Sequence, residues 1–406
     1  YRTGSKEKLR NYAPQIPSTL PGRQMGGTGL SGIALTEEKV SAFNQLHPKA
    51  ENVFYIVNPI TNRIQIITTV RDENGDHSYT KQTDFMTSED KWFRPVAAHF
   101  GPDGCLYIVD WYNKVISHNE VPRAHPDRDK TSGRIWRIRP DNHTPKTPLD
   151  LTKANPAQLI QALQNPNEKI ARLAWYAIAD RKAEKTPALT ENLLKLVNDT
   201  STPISSRTLA FWSLEDLGEW QKHPTELAKL ASDQSAFMRF EVIRSLANLH
   251  LNEKEFLSIA SAFPTDKNYR VRAELANTIR YHRAPTPGII ALAAQLGQTP
   301  LKGKSLTAYH RNFELYLARW AMEKHGAVTA KMLDSEIVQN LNPEAFLLAV
   351  QSLPPAQASA QLIKSIPKLD RELSKNELSL LASQIQNPDV TKALQSLPDS
   401  HHTLTR

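Results

Sequence analysis

Four times in the second half of this chain an apolar helix end runs into a short polar turn opened by Asn or Asp, and a new helix follows with an early Arg. The segments are LIQALQNPNEKIAR, LLKLVNDTSTPISSR, LAKLASDQSAFMR and SAFPTDKNYRVR. The turn residues Asn165, Asp199, Asp233 and Asp266 stand 34, 34 and 33 positions apart, and Arg172, Arg207, Arg239 and Arg272 follow them. A helix pair of this length cannot bury its apolar stripe alone. It does so by stacking on its neighbours, so an α-solenoid is expected over residues 151–400. Each Asn or Asp is expected either to cap the second helix, with its side chain meeting an Arg of a neighbouring repeat, or to stand as a solvated turn. Leu306 to Lys324, Glu344 to Leu353, Ala356 to Ile366 and Glu377 to Ile385 keep amphipathic spacing but lose the regular Asp and Arg. The repeat thus degenerates toward a capping end, and the tail from His401 to Arg406 reads as frayed or a linker.

Ahead of the repeats the apolar period shortens to two. Pro95 to Phe100 and Cys105 to Asp110 flank Gly101-Pro102-Asp103-Gly104, whose Pro presets φ and whose Gly accepts positive φ, as a tight hairpin requires. A third run, Gly133 to Arg139, puts Ile135, Arg137 and Arg139 on one face and Arg134, Trp136 and Ile138 on the other, with Pro140 ending the pairing. Asn52 to Val57 and Arg63 to Val70 form a further strand pair, and Asp72 to Asp76 a polar turn. Residues 1–145 are therefore expected to be all-β.

Several function classes are set aside. Hydrophobic residues make up 40% and charged residues 23% of the 406 positions, ordinary for a globular chain with two or three domains. The net charge of +8 is spread without a basic cluster or aromatic-interleaved stripe, which argues against nucleic acid as a partner. A single cysteine, Cys105, expected in the core, excludes an internal disulfide and a thiolate metal cluster. No apolar run is long enough to span a membrane. Beginning at Tyr1 with no leader-like segment, the chain is expected to be a piece of a longer protein. There is no GxGxxG before a helix, no P-loop, no HExxH and no GxSxG.

The run Asp90-Lys91-Trp92-Phe93-Arg94-Pro95-Val96, the turn Gly101 to Gly104, Leu106 to Tyr112 and Gly133 to Ile138 carry a resemblance, as do Gly26 to Gly32 and Asn58-Pro59 with Asn62. In this order they resemble membrane-bound dehydrogenases of planctomycetes and verrucomicrobia. That family resembles soluble quinoprotein glucose and sorbosone dehydrogenases in its β-propeller, continues into HEAT-like repeats and commonly ends in a c-type haem domain. The resemblance implies that residues 1–145 are the C-terminal blades of a β-propeller and 151–400 a HEAT/armadillo-like α-solenoid. It also implies an extracytoplasmic or periplasmic oxidoreductase acting on a sugar or polyol, with pyrroloquinoline quinone and Ca²⁺ as cofactors. The solenoid would then meet a protein or electron-acceptor partner. The absence of Cys-x-x-Cys-His departs from the pattern and excludes covalent haem from this chain. The different-class alternative is a non-enzymatic scaffold that binds protein or polysaccharide.

By that resemblance Arg94 is the position that reaches cofactor carboxylates, a task a planar guanidinium suits. The alternative is that Arg94 pairs with an acid such as Asp90 or Asp110 and closes the blade. Asp110 orients Arg94, meets a cation or caps the following turn. The loop from Ser117 to Asp129 is dense in His and Asp, and His118, His125, Asp127 and Asp129 are candidate metal ligands, though their spacing matches no metal motif. A salt-bridged loop is the alternative. His99 is expected to be a satisfied core histidine, and Trp111, Trp136 and Trp175 to be packing.

Overall fold

A computed structural model describes residues 25, 29–36, 41–71, 77–116, 121–141, 143–144, 149–298, 308–366 and 373–395. The turn at 72–76, His118, Gly26 to Thr28 and the tail at 401–406 lie outside these residues. The chain is mixed, with antiparallel sheets first and helices after. Two compact units divide at Leu217/Gly218, so the first four helices after the sheets group with the sheets rather than with the later helices.

In the first unit, β1 (Gly32–Leu35), β2 (Asn52–Asn58), β3 (Arg63–Arg71) and β4 (His77–Lys81) pair in that order, and β5 (Met86–Thr87) pairs with β3. A second sheet runs β6 (Pro95–Phe100), β7 (Leu106–Asp110), β8 (Arg134–Ile138), all antiparallel. The alternation read from the sequence sets the faces. Val53, Tyr55 and Val57 of β2, Ile64 and Ile66 of β3, and Ala98, Phe100, Leu106 and Ile108 of the second sheet share one buried cluster. Edge-on aromatic pairs tighten it: Tyr55 lies 5.6 Å from Phe100 and 5.8 Å from Phe43, and its hydroxyl donates to the Phe43 carbonyl at 2.8 Å. Gly32 allows β1 to approach β6, since a Cβ there would lie 2.8 Å from the Ala97 Cα.

The hairpin forms where expected. Gly104, at φ +78°, turns the chain, and the Gly101 amide donates to the Cys105 carbonyl. Cys105 is buried. His99 is not a core histidine: it falls on the outer face opposite Tyr107 and is exposed. Strands β1, β4 and β5 lacked a sequence signal because they are short or polar.

Four helices complete the first unit: α2 (Pro156–Ala162), α3 (Glu168–Asp180), α4 (Pro187–Asn198) and α5 (Ile204–Asp216), where α1 is the single turn Ala42–Gln45 between β1 and β2. Lys169 Nζ donates to the Phe100 carbonyl at 2.7 Å and so ties α3 to the sheet. Trp175 packs as expected, 5.0 Å from Trp212, with its indole N–H on Asp216 at 2.7 Å.

The second unit continues with α6 (Pro224–Leu230), α7 (Ala236–Ser245), α8 (Glu253–Ala260), α9 (Tyr269–Tyr281), α10 (Pro287–Gln295), α11 (Ala308–Lys324) and α12 (Gly326–Asp334). After these come α13 (Pro343–Val350), α14 (Pro355–Ser365), α15 (Lys375–Ala382) and α16 (Pro388–Gln395). The second helices of successive pairs, α7, α9 and α11, pack side by side. Among the described residues, no helix is long and apolar enough to cross a membrane.

The repeating turn residue works differently from a cap. Asn165, Asp199, Asp233 and Asp266 each accept the amide two positions on, and in three of the four turns that next residue, Asn167, Ser235 or Asn268, is the true N-cap. A rung of the expected ladder forms where Arg239 grips Asp266 of the next pair at 2.6 and 2.9 Å. Arg272 instead takes both oxygens of Glu314 on α11 at 2.9 Å, and Arg311 joins the same carboxylate at 2.7 Å.

Candidate functional site: an arginine clamp at the sheet rim

Asp110 ends β7 and faces the core side of its sheet, paired in register with Arg134 of β8. Its side chain is buried and takes donors on both oxygens. Oδ1 accepts the amides of Arg94 at 2.7 Å and Tyr112 at 2.9 Å. Oδ2 accepts Arg134 Nε and Nη2, each at 2.9 Å, and the Trp136 indole N–H at 3.1 Å. A carboxylate offers about four lone-pair directions, so this one is saturated.

Arg94 follows from that anchor. With its amide held by Asp110, its side chain is buried at 8% exposure and makes four hydrogen bonds from its five N–H groups. Nε donates to Asn113 O at 2.9 Å, Nη2 to Lys114 O at 3.1 Å, and Nη1 to Pro59 O at 2.8 Å and Asn62 Oδ1 at 3.0 Å. The guanidinium therefore staples the β2–β3 turn to the loop after β7. Among the described residues no carboxylate meets it side chain to side chain. Desolvation lowers its pKa, an effect partly offset by Asp110 and Asp90.

Both stapled loops carry left-handed residues, Asn62 at φ +53° and Tyr112 at φ +50°. Asn tolerates this region, and Asn62 earns its place by donating to the carbonyls of Asp90 at 3.1 Å and Phe93 at 2.7 Å. For Tyr112 the conformation costs on the order of 1 kcal/mol, and the Asp110 contact to its amide holds it there. The Tyr112 ring then lies 5.3 Å from Trp92 and 3.7 Å below the Arg134 guanidinium. Arg134 also reaches Asp90 at 3.1 Å. Burial works against the Arg134 charge, but the two carboxylates outweigh it and raise its pKa; the Trp92 amide and Arg134 lower that of Asp90. Trp136 is 44% exposed, so it is not simply packing.

Sequence reading thus placed Arg94 and Asp110 in one cluster, and the structure brings them together. It gave no site role to Asn62, Tyr112, Asn113 or Arg134, although Asn62, Tyr112 and Arg134 stood among the residues that carry the resemblance. Both Asp110 oxygens are engaged within the chain, which does not suit direct contact with Ca²⁺, and four of the five Arg94 N–H groups are engaged, which leaves it a single N–H on Nη2.

The long loop holds the other candidates. His125 Nδ1 accepts the Asp127 amide, Asp127 pairs with Lys114 at 3.0 Å, and Asp129 accepts Thr131 and Ser132. Among the described residues there is no group of three or more His, Cys, Asp or Glu side chains arranged to hold a metal ion.

A second cluster sits at the hairpin. Asp103 accepts Tyr107 Oη at 2.9 Å, Arg137 Nη2 at 2.8 Å and the Cys105 amide at 3.1 Å; burial opposes its charge, but these donors prevail and hold its pKa at about 2.

A family model described as a domain of unknown function, DUF7133, matches residues 40–142, the stretch that contains both clusters. No curated protein matches the chain.

Proposed function

We propose that the two sheets are neighbouring blades of a β-propeller and that the helix pairs form a HEAT-like α-solenoid, within an extracytoplasmic oxidoreductase resembling quinoprotein sugar dehydrogenases. One observation carries this reading: the WFRPV, GPDG, LYIVD and GRIWRI segments fall on a single three-stranded meander, joined through Asp110. In this reading Arg94 and Asp110 are positioning residues that fix one blade to the next. Pyrroloquinoline quinone and Ca²⁺ would be held by other residues, and a sugar or polyol would be the substrate. The helical part would link the propeller to a protein or electron acceptor.

The saturated Asp110 carboxylate, with four of the five Arg94 N–H groups engaged inside the chain, favours a second reading, a scaffold without redox activity that binds protein or polysaccharide. Calorimetric titration of pyrroloquinoline quinone, with and without Ca²⁺, into the natural full-length protein separates the two. Saturable binding is the expected result for the oxidoreductase; its absence leaves the scaffold.

A further inference from the structure

On α9 and α11 of the second unit, the Arg280 guanidinium is sandwiched between two rings, 4.2 Å from the Tyr281 centroid and 3.9 Å from that of Trp320. Lys324 Nζ lies 5.3 Å from the other cation's partner ring, Tyr281. Tyr316 stands 5.7 Å from Trp320 and extends the aromatic row. Tyr281 is 57% and Trp320 40% exposed, so both rings are open to a ligand.

The charges here are met only in part, by the Glu274 carboxylate near Arg280. Arg280 Nη2 donates to Asn277 at 2.7 Å, its Nε is buried without an acceptor, and no ion pair joins Arg280 or Lys324 to a carboxylate among the described residues. The neighbouring acids are engaged elsewhere: Glu323 with Arg319 at 2.6 Å and Glu241 with Arg244 at 2.8 Å. Glu274 shares its oxygens with the Asn277 amide at 3.2 and 3.3 Å, and burial raises its pKa, which weakens it as a counterion.

We infer that Arg280, Tyr281, Trp320 and Lys324 form a binding site for a carboxylated saccharide of the uronate type. The rings supply flat apolar surfaces for the C–H faces of sugar rings, and the two cations take the carboxylate. A peptide fits less well, since helix backbones are bonded internally and offer its main chain no partners. The inference stands apart from the oxidoreductase reading, because it uses none of the sheet residues.

The test is calorimetric titration of the full chain with a short oligogalacturonate, and with a neutral gluco-oligosaccharide of equal length. Saturable binding that weakens with salt is expected, with the neutral sugar at least about tenfold weaker. Arg280→Gln and Trp320→Ala should each lose about tenfold in affinity. Lys324→Gln, a fully surface change, should lose about threefold and serves if either of the others misfolds. Absence of binding, or equal affinity in Arg280→Gln and Trp320→Ala with an unchanged thermal midpoint, overturns the site. Competition by poly-glutamate at equal affinity overturns the saccharide.

Discussion

Arg94 in the first unit and Arg280 in the second differ in how their donors are used. Arg94 makes four hydrogen bonds inside its own unit, three of them to backbone carbonyls. Arg280 makes one. The first is a fastener, whose removal is felt as stability. The second adds little to the fold and keeps its charge for something else. The contrast teaches that an arginine's partners, more than its neighbourhood or motif, decide what it is for.

The largest expected effect is at the fastener. Arg94→Ala should destabilise the first unit by about 4 kcal/mol, since it leaves buried carbonyls dry at about 1–3 kcal/mol each. Denaturant titration measures it, and a loss near zero would mean that Arg94 is free for a ligand after all. Next comes a buried arginine pair within the helical unit. Glu314→Ala should cost about 3 kcal/mol, because Arg272 and Arg311 keep their buried charges with no counterion. That result would show that the difference between Arg94 and Arg280 follows burial and not the type of unit.

A smaller effect is set by pH. Asp103 has its pKa held at about 2 in the folded chain, below the ordinary 3.8, so its contribution is complete above about pH 4 and is lost as pH falls toward 2. Thermal midpoints measured across that window should fall less steeply in Asp103→Asn than in the parent. The smallest effect closes the comparison: Arg280→Gln should change stability by no more than about 0.5 kcal/mol. A loss as large as that at Arg94 would make Arg280 a second fastener and remove the ground for a ligand there.

Much of this was legible in the chain. The Gly101 to Gly104 turn, the faces of β8 and the helix-pair period follow from local rules, because the signals lie within a few residues. The partners of Arg94 were not, since its acceptors are main-chain oxygens 19, 20 and 35 positions away, and a carbonyl has no letter in a sequence. The Arg239–Asp266 rung could be anticipated because both ends have letters and the period fixes their spacing. Arg272 escaped the same rule where the next turn lost its Asp and Glu314, 42 residues on, took its place. Tyr112 was hidden for another reason: nothing in an aromatic side chain announces a left-handed backbone.

The choice of main-chain acceptors at the clamp has a consequence for how related chains can vary. Position 114 can exchange its side chain without loosening Arg94, because any residue there presents the same oxygen, whereas Asn113 is buried and holds its own loop by donating to the Asp129 carbonyl at 2.6 Å and accepting the Val115 amide at 3.3 Å. Proline at 59 is equally replaceable as an acceptor, though not as a turn former. Arg94 itself has no such latitude, as lysine lacks the fork that reaches both loops. Parts of the rim can thus drift in sequence, and acquire new surface chemistry, around Arg94 and the few side chains that hold it, Asn62, Asp110 and Asn113.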